Sequence, residues 1–187
     1  QVLIFTVVNA PWISGSGWSA LIPTNTDPSV LGNSSLPNKA TVTWALDIMP
    51  AFERAELSGA VLDGVYLDSL QGYFTGTGNY RREHFRNVSF PLQWNLLSRE
   101  LILVDLFTHY PLTEQVSEGM HGEGKLVMAN AIGPLSTFFF HLVDVAGIEV
   151  DWLSGGRYSP DPEWVFNYRR SMMYQKPYLL LMNTNFR

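Results

Sequence analysis

The sequence predicts an α/β fold, a parallel (β/α) barrel or part of one with about five β/α units. Three observations predict it: five short apolar runs, segments of helical period between them, and a polar residue closing every run. The runs cover residues 2–8, 64–70, 125–131, 142–150 and 178–183. Their apolar residues are continuous and do not alternate with polar ones. That is the pattern of strands covered on both faces, as in a parallel sheet packed with helices.

The intervening helices are predicted in turn. Asn38 can cap a helix whose stripe is Ala45, Ile48, Met49, Phe52 and Ala55, with a kink at Pro50 and a stop at Gly59. A second starts near Thr113, carries Glu114 in its first turn and stops at Gly122 and Gly124. A third is signalled by Asp161 and Pro162, continues through Tyr168 and Met172 to Gln175, and stops before Pro177. Residues 71–105 break the rhythm. They are aromatic and polar by turns, and a connection of that length is more often functional than idle.

At 187 residues and 46% apolar, the chain is long enough for one sizeable core, and one domain spanning 1–187 is expected. A formal charge of -5 with 12 Lys plus Arg argues against nucleic acid as a partner. No apolar run approaches the roughly 20 residues needed to cross a bilayer, so no membrane role is expected. With no cysteine there are no disulfides, thiolate metal sites or cysteine nucleophiles. The chain opens at Gln1 without an initiator Met or a signal-peptide pattern, which suggests that processing or truncation set that end, and a secreted origin is slightly favoured. Asn33 and Asn87 head glycosylation sequons, a pattern common by chance.

In a parallel barrel the carboxyl ends of the strands form the active-site face. The five runs end in Asn9, Asp68 with Ser69, Asn130, Glu149 with Asp151, and Asn183 with Asn185. A glycosidic bond breaks through a cation-like transition state. One carboxylate attacks or stabilises the anomeric carbon, and one carboxylic acid protonates the leaving oxygen. Asp68, after Val65, Tyr66 and Leu67, suits the nucleophile; a turn or cap aspartate is the plainer alternative. Glu149, between Ile148 and Val150, suits the acid, since partial burial would raise its pKa. Asp151 is a second choice for the acid, and a salt bridge to Arg81 or Arg169 is the plainer reading of Glu149.

Sugar rings present flat C–H faces that stack on aromatic rings, so Trp12, Tyr73, Trp94 and Trp152 are candidate substrate-binding residues; singly, each could equally be a loop anchor. Arg82 and His84, in the stretch 80–85, are candidates for binding hydroxyls or holding Asp68 ionised. Asn9, Asn130, Asp151 and Asn183 complete the expected substrate-binding set. The four histidines show no HExxH or i, i+4 pairing, so no metal is expected, and no nucleotide-binding glycine motif calls for a cofactor.

The run 63–69 (DGVYLDS), with KLVMANAIG, GIEVDW and FNYRRSMMYQKPYLLLMN further on, resembles glycoside-hydrolase-like TIM barrels, in particular the α-galactosidase-like retaining group. The resemblance implies an Asp nucleophile at the end of a central strand and an acid/base carboxylate two strands on, matching Asp68 and Glu149. It covers most of the chain but only part of a barrel: five runs are present against eight strands in the complete fold. The expected activity is hydrolysis of an oligo- or polysaccharide, with the retention that the resemblance implies; a non-catalytic carbohydrate-binding or self-assembling barrel remnant is the alternative, and a metal-dependent hydrolase a weaker third. Open sheet edges point to a homo-oligomer, or to association with a missing barrel portion.

Overall fold

Gly64 opens a strand because nothing larger fits there: a Cβ at this position would overlap the carbonyl of Leu126 on the neighbouring strand. The structure, a computed structural model, describes residues 6–9, 18–21, 26–30, 38, 42–68, 70, 78–86, 88–130, 134–150, 152–154, 156–173 and 175–182. In chain order its elements are β1 (Thr6–Asn9), β2 (Trp18–Leu21), α1 (Met49–Leu57), β3 (Gly64–Leu67), β4 (Gly78–Asn79), β5 (Gln93–Asn95) and β6 (Glu100–Val104). There follow α2 (Asp105–Gly122), β7 (Leu126–Ala129), β8 (Val145–Val150), β9 (Leu153–Ser154), β10 (Arg157–Tyr158), α3 (Glu163–Met172) and β11 (Tyr178–Met182). A π-helical turn over Thr43–Ile48 precedes α1, and 3-10 turns lie at Arg82–His84 and Pro134–Leu142.

Two compact units are found where the sequence predicts one domain. The first comprises Gln1–Thr41 and Phe74–Leu112, the second Val42–Tyr73 and Thr113–Arg187.

The second unit carries the predicted α/β pattern. Its sheet has four strands in the order β11-β8-β7-β3, every neighbouring pair parallel. Spatial order follows chain order, the winding of a (β/α) barrel, but four strands make an open sheet and not a closed barrel. Register divides its residues between two faces. Val127, Ala129, Ala146 and Val150 share one face and are all buried. Tyr66, Glu149 and Leu179 share the other and are exposed. Val116, Met120, Phe139, Val143 and Met173 are also buried in this unit, each fully buried apolar side chain contributing about 1.5–3 kcal/mol.

The first two helices differ from expectation at their starts and agree at their stops, whereas α3 starts as expected, directly after Pro162, and ends at Met172, short of Gln175. Asn38 does not cap α1. It is buried and its Nδ2 donates to the carbonyl of Asp27 at 3.1 Å. Pro50 falls where the π-helical turn over Thr43–Ile48 passes into α1, so the change of helical form lies at the expected kink. α1 stops as predicted: Gly59 adopts φ +74, and Ala60 N–H reaches the carbonyl of Ala55 at 2.9 Å. α2 ends the same way at Gly124, with Lys125 N–H on the carbonyl of Met120. It starts at Asp105, eight residues before Thr113, and continues through Pro111. Packing decides this: Leu106, Thr108, Thr113, Val116 and Ser117 are buried along it, which offsets the hydrogen bond that Pro111 cannot make.

The first unit corrects two expectations. The described part of run 2–8 belongs to β1, which pairs antiparallel with β2, Thr6 opposite Leu21 and Asn9 opposite Trp18, and not with the parallel sheet. An apolar run states that a strand is covered, not which neighbour covers it or in what direction. Residues 71–105 are not a plain loop either, since β4, β6 and β5 form an antiparallel sheet in that order. Here Asp27 is 2% exposed and its carboxylate accepts the backbone N–H and hydroxyl of both Ser29 and Ser89. Four donors satisfy a charge that burial would otherwise expel.

Candidate active site at the carboxyl ends of the parallel strands

Asp68 leaves β3 one residue after Leu67, and its side chain returns to the face of Tyr66. Tyr66 Oη donates to Asp68 Oδ1 at 3.0 Å, and Asn130 Nδ2 donates to the same oxygen at 2.8 Å. Asn130 follows β7 as Asp68 follows β3, and its backbone extends the pairing: its N–H reaches the carbonyl of Leu67 at 2.9 Å, and its carbonyl accepts from Leu70 N–H at 3.1 Å. Two donors on one carboxylate oxygen fix its plane.

The Tyr66 hydroxyl is pushed up to about 12, by loss of hydration first, then by the hydrogen bond to Asp68 and its charge, then by the charge of Glu149. It therefore remains a donor throughout the physiological range. The charge of Glu149 is thus felt at the Tyr66 hydroxyl. Register gives the geometry. Leu67 is level with Ala129 and Ala129 with Ala146, so Glu149 lies one strand beyond β7 and two residues further along than Asp68. Usual strand spacing and rise put the two Cα atoms about 12 Å apart, both side chains on one exposed face.

Several expected site residues have other duties. Asn130 is 1% exposed and its Nδ2 is engaged by Asp68. Glu149 is exposed, and the partial burial expected around a general acid is absent among the described residues. Arg81 pairs with Glu83 at 3.0 Å and Arg169 with Asp161 at 2.7 Å, so those guanidiniums bind other carboxylates than Glu149. The donors found on Asp68 come from the strands themselves, where the sequence pointed to Arg82 or His84. His84 Nδ1 accepts from Asn79 Nδ2 at 2.9 Å; burial, then the charge of Arg81, hold its pKa below the usual histidine value. Trp152 packs edge-on against Tyr158 and Phe166, and its Nε1 lies 3.5 Å from Asp161 Oδ2, the posture of a loop anchor.

Asn9 belongs to the antiparallel hairpin of the first unit and not to the carboxyl end of the parallel sheet. Arg82 and Trp94 come together in that unit, along a cleft of about 430 Å³. Trp12, Tyr73, Asp151 and Asn183 lie outside the described residues.

Sequence reasoning missed Tyr66, although its spacing held the signal: residues i and i+2 of a strand share a face, so Tyr66 and Asp68 had to be neighbours. It also missed a polar cluster at the opposite, amino end of the strands. There Asp144 Oδ2 accepts from Val127 N–H at 2.8 Å and lies 2.9 Å from His121 Nε2. His121 Nδ1 lies 3.3 Å from Ser117 Oγ, which itself donates to the carbonyl of Leu142. Ser117 is buried and its hydroxyl is committed to that carbonyl, so this Ser, His and Asp set joins α2 to β8 and is not a nucleophile with its base.

Among the described residues no cluster of three or more His, Asp or Glu is placed to hold a metal ion, and no helix is long and apolar enough to cross a membrane. No protein-family model, curated protein or solved structure matches this chain, so the residues above are the whole basis for a functional reading.

Proposed function

We propose that the second unit is a glycoside-hydrolase-type sheet, related to the α-galactosidase-like barrels, in which Asp68 and Glu149 act as the carboxylate pair on an oligo- or polysaccharide. The observation that carries this reading is the hydrogen-bonded Tyr66–Asp68–Asn130 set on the same exposed face as Glu149, at the carboxyl ends of sequentially wound parallel strands. In the retaining form, an Asp68 carboxylate oxygen bonds to the anomeric carbon as the glycosidic C–O bond breaks. Glu149 gives its proton to the departing oxygen. Water, deprotonated by Glu149, then displaces Asp68 and restores both groups. Tyr66 and Asn130 hold Asp68 aimed.

A chromogenic glycoside screen of wild type beside Asp68→Asn tests it. Turnover that falls by about a thousandfold or more in the variant supports the assignment, and equal turnover ends it. The product anomer separates retention from inversion, which need carboxyl groups about 5–5.5 Å and roughly 6.5–9.5 Å apart.

A second reading, glycan binding without turnover, draws on one observation: the exposure of Glu149 deprives it of the burial that tunes a general acid. Saturable glycan binding with no product formed in wild type would favour it.

A further inference from the structure

The hairpin of β5 and β6 places Trp94 opposite Leu101, and Trp94 remains 57% exposed. Beside it runs the cleft in the first unit, lined among others by Tyr80, Arg82, Phe85, Arg99 and Glu100. Tyr80 holds one wall in place, its Oη accepting from Asn95 Nδ2 at 2.8 Å and from Ser98 Oγ at 3.3 Å. Arg99 closes the hairpin turn at φ 55, where glycine or asparagine is the comfortable residue, and its N–H reaches the carbonyl of Asn95 at 2.8 Å. A cation is thus kept at the cleft in a backbone position that does not favour it.

Among the described residues, no salt bridge engages Arg82 or Arg99, whereas their neighbour Arg81 is paired with Glu83. Two guanidinium forks against one carboxylate, Glu100, leave the cleft net positive on a chain of net charge -5. The exposed aromatic floor suits a flat apolar face, and the forks suit a planar or tetrahedral anion. A sugar acid joins both features in one molecule.

We propose that this cleft binds an acidic sugar, a uronate- or sulfate-bearing unit of an oligosaccharide, with its ring on Trp94 and its anionic group on Arg82 and Arg99. The choice of a sugar rests on the glycosidase reading. The demand for an anion rests on the cleft alone.

Calorimetric titration of the whole chain tests this, using an oligogalacturonide, a sulfated oligosaccharide and a neutral gluco-oligosaccharide of equal length, at low and moderate salt. Arg82→Gln, Arg99→Gln and Trp94→Ala are run beside wild type, with thermal unfolding as the check on folding; all three side chains are exposed, so the fold is expected to survive. The expected result is saturable binding of at least one acidic ligand, weakened by salt and by about tenfold or more in each Arg variant. Which acid binds identifies the anion. Equal binding of acidic and neutral sugars, binding indifferent to both Arg variants, or no binding of either acid would overturn the proposal. Asp68→Asn separates the two readings: it should keep the acidic ligand while losing turnover. Acid binding through the arginines with no turnover in wild type leaves the cleft standing and removes the glycosidase. Turnover with acid binding unchanged in the Arg variants does the reverse.

Discussion

Tyr66 shows how much a single hydroxyl can be asked to do. It donates to the carboxylate that is to attack, and it feels the charge of both members of the proposed pair. A hydrogen bond to a charged group is worth about 1.5–3 kcal/mol. Tyr66→Phe is therefore expected to lower kcat/KM by about 10- to 100-fold without unfolding the protein, read by steady-state kinetics beside circular dichroism. An unchanged kcat/KM would mean that the Tyr66 hydroxyl is not needed to hold Asp68. Tyr178 is the opposite case. Its hydroxyl is buried without a hydrogen-bond partner among the described residues, and burial first of all pushes it up to about 12. Removing a group that makes no bond removes its desolvation cost, so Tyr178→Phe should be neutral or raise stability by up to about 1 kcal/mol in denaturant titration.

At the scale of elements, α2 is held to the π-helical turn before α1 by shape and to the sheet by charge. Gly119 faces the Trp44 indole so closely that a Cβ would overlap its ring. In a bare helix Gly119→Ala would gain about 1 kcal/mol of propensity. Overpacking of about 1–3 kcal/mol opposes it and should win, lowering Tm in a thermal melt. The charge contact is Asp144. Burial alone would raise its carboxyl, but the Val127 N–H, His121 and Lys176 outweigh burial and hold it below its ordinary 3.8. A depressed carboxylate stabilises fully above its unfolded value and less as pH falls through the folded one. Wild type should thus lose stability as pH drops below about 3.8, and Asp144→Asn should be less stable by about 1–2 kcal/mol at neutral pH with a flatter acid limb. Equal acid limbs in urea titrations of the two proteins would rule this out.

For the whole molecule the open sheet is the governing fact. β3 and β11 each have a parallel neighbour on one side only among the described residues, and the face bearing Tyr66 and Leu179 is exposed. Unpaired edges and exposed apolar surface favour association. A homo-oligomer, or pairing with a missing barrel portion, remains the proposal for what completes the sheet. Light scattering after size exclusion should return a mass above 21.1 kDa that falls on dilution; a monomer at every concentration would contradict self-association.

What the sequence determined by itself is local. The four parallel strands lie within the runs at 64–70, 125–131, 142–150 and 178–183, although the face bearing Tyr66, Glu149 and Leu179 lacks the cover that continuous apolar residues led one to expect. The stops at Gly59 and Gly124 were legible because only a residue free to take positive φ closes a helix that way. Asp68 could be singled out from its place after a strand. Only the tertiary structure decided that β1 turns back on β2, that residues 71–105 build a second sheet, and that α2 continues through Pro111. It also decided that Asn130 is buried with its amide on Asp68. Strand partners, burial and side-chain donors are pairings between distant residues, and a linear pattern records what each residue needs without recording which neighbour supplies it.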